Sequence, residues 1–426
     1  MLDGSYGILP PSTCYDINES IIFVRATDLG KDLTVNWATA LRVPQEYFKN
    51  IRARIQQHDV LLAVKGATIA SAKSVCFVDL PISNTIINGS IFRITPLPSI
   101  LPKYLAYILD SDTTKKQMRL NLIANNAIDY LDKTLIHNLL IPFPNEKTQQ
   151  SIIEKLDKAY RTKAHKETEA QTLLATIDDY VLAQLGVESP DAQDNSLQSR
   201  LFYIKANTIS GMRFDPDYLN FKSKVTSCKF PLLPLGQLLK KRPQYGANEI
   251  GLERTDNQQP LYIRITDIDE WGKLRVEGLG KTATNAEQKY ILNDNDLLFA
   301  RSGNTVGKCY LHKQAAYDNA CFFAGYMIRF VVKETEVLPD YIFCFTRTQL
   351  YKHWVKGIKR TAGQPNINAE EYQSLLIPLP PFEIQKEIAS HVEEIYVRAQ
   401  QLRDEGQAII EQAKQEVEAM ILGYNV

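Results

Sequence analysis

The 426-residue sequence predicts an α+β protein in which a mixed α/β lobe followed by a long helix occurs twice. The main observation is an internal repeat. Residues 377–388 repeat the pattern of residues 141–152 with substitutions, and residues 262–268 likewise repeat residues 23–29. A repeated lobe and helix predict a pseudo-two-fold object with two separate cores.

The order of segments follows from composition. Residues 1–144 contain strand-like apolar runs and form a first lobe. Residues 145–186 have no Pro and no Gly before Gly186, which predicts a long helix, and a polar stretch at 187–200 is typical of a linker. Residues 201–380 form a second lobe, and residues 381–426 a second long helix.

The two helical segments carry apolar residues in matching register. In the second helix they alternate at spacings of four and three, which is a heptad pattern that predicts a helical partner. The two helices are therefore expected to pair as an antiparallel coiled coil, although each could instead pack on its own lobe. The expected pairing residues are Ile152, Leu156, Leu173 and Ile177 in the first helix and Ile388, Val392, Ile395, Leu402 and Ile409 in the second.

The net charge of zero hides an uneven distribution. The first lobe has 14 Lys and Arg against 12 Asp and Glu, the second has 24 against 18, and the remainder has 11 against 19. Basic lobes are compatible with nucleic-acid binding, because charges act locally at physiological salt. The six cysteines include no close pair, and no apolar run is long enough to span a membrane, so a cytoplasmic protein without metal or cofactor is expected.

The turn after the apolar run 297–300 is the first candidate site. It offers two cations, hydroxyls and glycine backbone, which suit contact with phosphate. The candidate residues are Arg301, Ser302, Gly303, Asn304, Thr305 and Lys308. The first lobe keeps Lys65 and Thr68. An ordinary hairpin turn with surface charge is the alternative.

Further candidates come from side chains that can bond base edges or stack on them. Arg360, Gln364 and Asn366 lie in one turn, and Asn125 lies in its counterpart. An ordinary loop rich in Asn, Gly and Pro is the alternative. Tyr245-Gly246 and Tyr6 precede the two Arg-x-Thr-Asp segments, where a lobe-packing role is the alternative. Within those segments Arg264 and Asp267, like Arg25 and Asp28, are expected to form internal polar pairs.

No catalytic constellation is present in the sequence. There is no nucleophile elbow, metal-spaced cluster or dinucleotide fingerprint. The segment 379–382 is superficially similar to an amino-methyltransferase motif, but Leu379 replaces its leading polar residue. Its prolines are better explained as the end of the lobe and the start of the helix.

The second half of the chain resembles the specificity subunit of Type I restriction-modification systems in segments 264–268, 296–308, 328–330, 364–368 and 377–385. The first half shows the same pattern in register, but more weakly. The resemblance covers essentially the whole chain and is strongest over residues 260–425. It implies two target-recognition domains, each reading half of a bipartite site on double-stranded DNA. Because the two copies are unequal, the site is expected to be asymmetric. The resemblance also implies a non-catalytic subunit whose helices fix the half-site spacing and dock two methyltransferase subunits, joined by a restriction and translocase subunit.

Three alternatives remain at this stage. The chain could serve a Type IIB-like system, in which one partner chain methylates and cleaves. It could be a coiled-coil scaffold whose lobes bind protein, or an enzyme that acts on nucleic acid by itself. The first lobe also departs from the pattern, because it is short at its N-terminal side and lacks an equivalent of residues 201–243.

Overall fold

The computed structural model describes residues 3–120, 130–187, 219, 225, 228–269, 271–276, 278–283, 287–317, 319–359 and 364–422. The chain divides into two units. Unit 1 contains Met1–Thr168 and Leu402–Val426, and unit 2 contains Glu169–Gln401. Each unit therefore holds one lobe together with parts of both long helices. The predicted linker from residue 188 onward lies outside the described residues.

The first lobe is built on two sheets. Its strands are Asp3–Tyr6 (β1), Ile21–Val24 (β2), Leu41–Val43 (β3), Val60–Ala63 (β4), Val75–Phe77 (β5), Thr85–Ile87 (β6) and Ile91–Thr95 (β7). One sheet has the order β1-β7-β4-β5 with antiparallel neighbours, and the other has the order β3-β2-β6 with β2 and β6 parallel. The fully buried apolar run of β4 explains why this strand is central. The short helices that follow are Pro102–Leu109 (α1), Asp112–Leu120 (α2) and Lys133–His137 (α3).

The second lobe repeats this plan. Its strands are Leu232–Pro234 (β8), Gln244–Tyr245 (β9), Gly251–Glu253 (β10), Leu261–Ile263 (β11), Lys281–Ala283 (β12), Leu297–Ala300 (β13), Cys309–Leu311 (β14), Cys321–Phe323 (β15), Met327–Phe330 (β16) and Leu376–Pro378 (β17). The sheet β14-β13-β16-β9 matches the four-stranded sheet of the first lobe, and the parallel pair β11 and β15 matches β2 and β6. Its short helices are Pro339–Phe345 (α5), Gln349–Ile358 (α6) and Ala369–Gln373 (α7).

Two long helices complete the fold, Glu146–Leu185 (α4) and Phe382–Leu422 (α8). They run antiparallel, as the sequence predicts. In unit 1, the Lys155 ammonium pairs with the Glu416 carboxylate, and the Lys166 ammonium lies 2.5 Å from the Glu405 carboxylate. In unit 2, the rings of Tyr180 and His391 lie 4.0 Å apart between centroids.

The helix pair also packs on its lobe. In unit 1, Ile152 and Leu156 of α4 share one apolar core with Ile410 and Val417 of α8 and with Leu105 of α1. The two packing modes considered from the sequence therefore occur together. A long helix with a narrow apolar stripe gains stability from both surfaces.

The buried seam shifts by one residue along each helix. Ile177, Ile388, Val392, Ile395 and Leu402 are buried as well as Ile152 and Leu156. Leu173 and Ile409 are partly exposed, while the next residues, Leu174 and Ile410, are buried. In both helices the heptad pattern therefore gains one extra step of four residues at matched positions. The step runs from Ala170 to Leu174 in α4 and from Gly406 to Ile410 in α8. Such an insertion relaxes the strict heptad pattern.

Candidate nucleic-acid interface

Two segments of the second lobe that the sequence singles out separately are neighbours in the structure. Ser302 and Asn366 form an antiparallel bridge. The backbone amide of Gly303 donates to the Pro365 carbonyl at 3.0 Å, and the amide of Ile367 donates to the Arg301 carbonyl at 2.9 Å. Residues 301–303 and 365–367 therefore present their side chains from one paired scaffold.

Tyr245 joins this scaffold from β9. The Arg301 guanidinium carbon lies 4.8 Å from the centre of the Tyr245 ring, and the Tyr245 hydroxyl accepts a hydrogen bond from the Ala369 amide. The Tyr245 side chain remains 40% exposed. A cation held over an aromatic face at a surface suits contact with a phosphate or a base.

Tyr326 is a site residue that the sequence reasoning missed. It lies in the turn between β15 and β16, and its carbonyl accepts the Arg301 amide at 2.9 Å. Its side chain is 62% exposed. An aromatic residue beside glycine, in a turn between two apolar runs, was the available signal. We name Tyr245, Arg301, Ser302, Gly303, Tyr326, Gln364 and Asn366 the Arg301 cluster.

Backbone geometry fixes the turn of this cluster. Gly303 has φ of +76° and Gly307 has φ of +92°, values that favour glycine. Between them Gly303–Thr305 forms a short 3-10 turn with Asn304 exposed. A side chain added at Gly303 would approach the Gln364 amide nitrogen at 3.5 Å, which places Gln364 directly over the turn.

Lys308 lies apart from the Arg301 cluster. Its ammonium group donates to the backbone carbonyl of Ile268 at 2.9 Å and is partly buried. This contact ties the turn to the segment after β11. Of the two predicted cations in the turn, Arg301 is therefore the one that stands against the exposed aromatic ring.

The structure explains why position 246 is occupied by glycine. A Cβ atom at Gly246 would lie 2.3 Å from the Ala324 carbonyl oxygen, and one at Gly7 would lie 2.1 Å from the Ile87 carbonyl oxygen. Both glycines therefore permit a close crossing of two backbone segments. This explains the glycine of the repeated Tyr-Gly pair without any ligand.

The first lobe has the same scaffold with different side chains. Lys65 forms a bridge with Tyr130, as Ser302 does with Asn366. The amide of Val64 donates to the Ser90 carbonyl, as that of Arg301 does to Tyr326. The buried Val64 thus occupies the place of Arg301, and the exposed Lys65 occupies the place of Ser302.

Other first-lobe candidates contact their own lobe. The Tyr6 hydroxyl donates to the Leu131 carbonyl at 3.1 Å, and burial raises the pKa of this phenol. The Thr68 hydroxyl donates to the Lys65 carbonyl at 3.1 Å. Asn125 of this lobe and Arg360 of the second lobe lie outside the described residues.

The Arg-x-Thr-Asp segments form internal polar pairs, as predicted. Arg264 donates to Asp267 through its side chain at 3.1 and 2.6 Å, and Arg25 donates to Asp28 at 3.0 and 2.9 Å. The hydrogen bonds to the aspartates raise the pKa of both guanidinium groups. These arginines hold the turn after β2 and β11.

An exposed basic run precedes β9. Lys240, Lys241 and Arg242 are all exposed. Three consecutive basic residues were the available sequence signal, and they add positive potential to the surface of the lobe that holds the Arg301 cluster. Among the described residues no group of acidic, His or Cys side chains could hold a metal ion. Within the described ranges, every helix is either too short or too polar to span a lipid bilayer.

Comparison with known proteins identifies relatives. Residues 250–412 match the family described as Type I restriction modification DNA specificity domain. The chain is 27% identical over 106 residues to the MjaVIII specificity subunit of Methanocaldococcus jannaschii, covering 25% of this chain and 23% of the relative. It is 30% identical over 115 residues to the EcoKI specificity subunit of Escherichia coli, covering 26% and 24%. These two matches thus span about a quarter of each relative's length.

A longer match extends over most of the chain. The StySPI specificity subunit of Salmonella potsdam is 22% identical over 363 residues, which make up 84% of this chain and 71% of the relative. A solved chain from a study of type I R-M complex assembly aligns with 99% of this chain and 96% of its own length, at 13% identity and a TM-score of 0.49. The S subunit from M. genitalium aligns with 98% of this chain and 93% of its own length, at 12% identity and a TM-score of 0.42. Residues 250–412 therefore match the Type I restriction modification DNA specificity domain, and the chain is similar to the specificity subunits of Type I restriction enzymes.

Proposed function

We propose that this chain is the non-catalytic DNA-recognition subunit of a restriction-modification complex, and that each lobe reads half of a bipartite site. The observation that carries this proposal is the Arg301 cluster. It combines a cation over an exposed aromatic ring with amide side chains on a paired backbone scaffold. Amide side chains can bond paired donors and acceptors on adenine, and the guanidinium suits phosphate or guanine.

The two lobes are proposed to read different half-sites. Arg301 and Tyr245 of the second lobe correspond to Val64 and Tyr6 of the first, where no guanidinium is offered. Lys65 supplies the cation of the first lobe one residue later. The site is therefore expected to be asymmetric. In this proposal residues 1–144 and 201–380 are the target-recognition domains, 187–200 is a linker, and 145–186 and 381–426 are the spacing helices.

The helices are proposed to dock two methyltransferase subunits, which a restriction and translocase subunit then joins. In unit 2, a groove of about 610 Å³ follows the outer face of α8. It is lined by Lys386, Ala389, Glu393, Val397 and Arg398, and the Val397 side chain is 48% exposed. A mixed apolar and charged groove along a helix is typical of surfaces that accept a second helix.

The test combines methylation mapping with DNA binding. The chain and its methyltransferase partner are expressed together, and the methylated motif is read from the host genome. A bipartite motif with two unlike halves is expected. Arg301→Ala is then expected to weaken binding to that motif and to lower the slope of log affinity against log salt by about 1.

Lys333→Ala is the matched control, because Lys333 is a surface cation of the same lobe that pairs with Glu336. It should leave the salt slope unchanged. The absence of any methylated motif would overturn the recognition role. An unchanged DNA affinity in both Arg301→Ala and Tyr245→Ala would favour a protein-binding scaffold instead.

A further inference from the structure

One face of the four-stranded sheet in the second lobe ends in an exposed rim. The register of β13 and β16 places Arg301 opposite Tyr326, and the Arg301 amide donates to the Tyr326 carbonyl at 2.9 Å. Tyr245 of β9 lies opposite Ile328, two residues along the chain from Tyr326. Because side chains alternate between the two faces of a sheet, the rim carries Tyr245, Arg301 and Tyr326 on the same face.

Tyr326 is more exposed than the other tyrosine of this rim. Its side chain is 62% exposed, compared with 40% for Tyr245. None of the described residues hydrogen-bonds to the Tyr326 hydroxyl or stacks on its ring. The backbone of its turn is nevertheless fixed, because the neighbouring Gly325 amide donates to the Ala247 carbonyl at 2.7 Å. A rigid turn therefore presents a large aromatic ring to solvent.

The first lobe has the same rim with different side chains. The Val64 amide donates to the Ser90 carbonyl at 2.9 Å, and Tyr6 stands on the same face as both. Val64 is fully buried, and the Tyr6 hydroxyl donates to the Leu131 carbonyl. Ser90 thus takes the place of Tyr326 without its ring. A contact made by the Tyr326 ring would therefore belong to one lobe only.

The amide side chains of the Arg301 cluster favour an A·T base pair. Gln364 is exposed over the turn at Gly303, and Asn366 is paired through its backbone with Ser302. Glutamine and asparagine amides can bond N6 and N7 of adenine in the major groove. In the same groove thymine presents its C5-methyl group, which suits an apolar contact. An aromatic ring in the same cluster therefore complements the amides at A·T pairs.

The reach of the Tyr326 ring favours the edge of a base over the space between two bases. Tyrosine and arginine side chains extend to a similar distance from the backbone, and Tyr326 and Arg301 start from directly opposed positions. Both side chains therefore end at a similar depth in a groove. A wedge that opens the base stack must instead project beyond the groups that contact base edges.

We propose that Tyr326 is a specificity-determining residue of the second lobe, and that its ring contacts the C5-methyl group of a thymine in the major groove of that lobe's half-site. The contact presupposes the proposed recognition function and deepens it, because it names a base and a groove for one half-site. The first lobe, with Ser90 at the equivalent position, makes no such contact there.

Deoxyuridine substitution tests the contact in the complex of the full chain with its methyltransferase partner. The motif is first read from methylation of the host genome. Duplexes are then made in which each thymine of both half-sites is replaced, one at a time, by deoxyuridine, which lacks only the methyl group. We expect a single replacement, in one half-site, to lower the affinity of the wild-type complex about fourfold.

Variants of Tyr326 connect that thymine to the ring. Tyr326→Ser should lower the affinity for the motif about fourfold or more, and it should bind the thymine and deoxyuridine duplexes equally. Tyr326→Phe keeps the ring and should still distinguish the two duplexes. Leu279→Ala is the matched control, because Leu279 is an exposed apolar residue in another turn of the same lobe, and it should leave both affinities unchanged. All three variants should keep the thermal midpoint of the wild type.

Three results would overturn the proposed contact. The first is a wild-type complex that binds every deoxyuridine duplex as tightly as the thymine duplex. The second is a Tyr326→Ser complex that still distinguishes the two duplexes. The third is a lowered thermal midpoint of Tyr326→Ser with both half-sites weakened, which would show that Tyr326 supports the fold. In each case the wild-type complex still binds its motif, whereas failure of the proposed function would appear as the absence of any methylated motif.

Discussion

Gly246 lies where the start of the second lobe's sheet crosses the turn after β15. The hydrogen bonds from Gly246 to the Met327 carbonyl and from Ala247 to the Phe323 carbonyl hold the two segments together. The space between them is filled by backbone, so a methyl group cannot be accommodated by moving a side chain. The residue after the exposed Tyr245 therefore determines where that tyrosine is held.

Gly246→Ala is expected to lower the free energy of unfolding by about 1–3 kcal/mol, because its Cβ would overlap the Ala324 carbonyl. Gly251→Ala, whose Cβ would meet its nearest neighbours at 3.6 Å, should change it much less. Thermal unfolding of the two variants checks this. Equal midpoints for both would contradict the close approach.

At the scale of elements, a buried glutamine positions the start of each long helix. The Gln385 amide accepts from the Leu338 amide at 2.9 Å and donates to the Pro380 carbonyl at 2.8 Å. Gln149 makes the same two hydrogen bonds, with Leu101 and Pro144. Each glutamine thus joins the first turn of a long helix to the first turn of a short one in its lobe.

Gln385→Ala is expected to cost about 3 kcal/mol of unfolding free energy, because it leaves two buried backbone groups without a partner. Gln407→Ala removes an exposed glutamine of the same helix and should change stability by less than about 0.5 kcal/mol. Chemical denaturation of both variants measures the difference. A Gln385→Ala protein as stable as the control would rule out this role.

The shifted seam of α8 gives a second prediction at this scale. Ile410 is 4% exposed and belongs to the core of unit 1, whereas Ile409 is partly exposed and lies at its margin. Ile410→Asn should therefore destabilise the protein more than Ile409→Asn, since burying an unbonded amide costs more than exposing one. A lower thermal midpoint for Ile409→Asn than for Ile410→Asn would contradict the shift and indicate that α8 keeps the strict heptad pattern.

At the scale of the whole molecule, the repeat extends to individual hydrogen bonds. Tyr104 donates to the Pro142 carbonyl as Tyr341 donates to the Pro378 carbonyl. The lobes differ at the turn after β4 and β13, where Val64 and Lys65 take the places of Arg301 and Ser302. This pattern favours a common scaffold that carries two different recognition surfaces.

Under the proposed function, loosening the helix pair is expected to affect half-site spacing more than recognition of each half-site. Leu402 is buried in the seam, so Leu402→Asn should weaken the pairing of α4 and α8. The complex with its methyltransferase partner should then accept half-sites at more than one separation. Gln415→Asn, at an exposed position of the same helix, should keep the original spacing. Retention of that spacing by Leu402→Asn would argue against the helices as the spacer.

The sequence by itself determined the class of the fold, its repeat and the antiparallel helices, because these depend on periodicities that local chemistry dictates. It also predicted the Arg25–Asp28 and Arg264–Asp267 pairs, because the two members of each pair are only three residues apart in the sequence. Only the tertiary structure decided that Arg301 meets Tyr245 while Lys308 contacts Ile268. The tertiary structure also decided that β8 pairs with β17 in the second lobe. The described strands of the first lobe include no equivalent pair. Such contacts join residues far apart in the chain, and packing selects them rather than local preference.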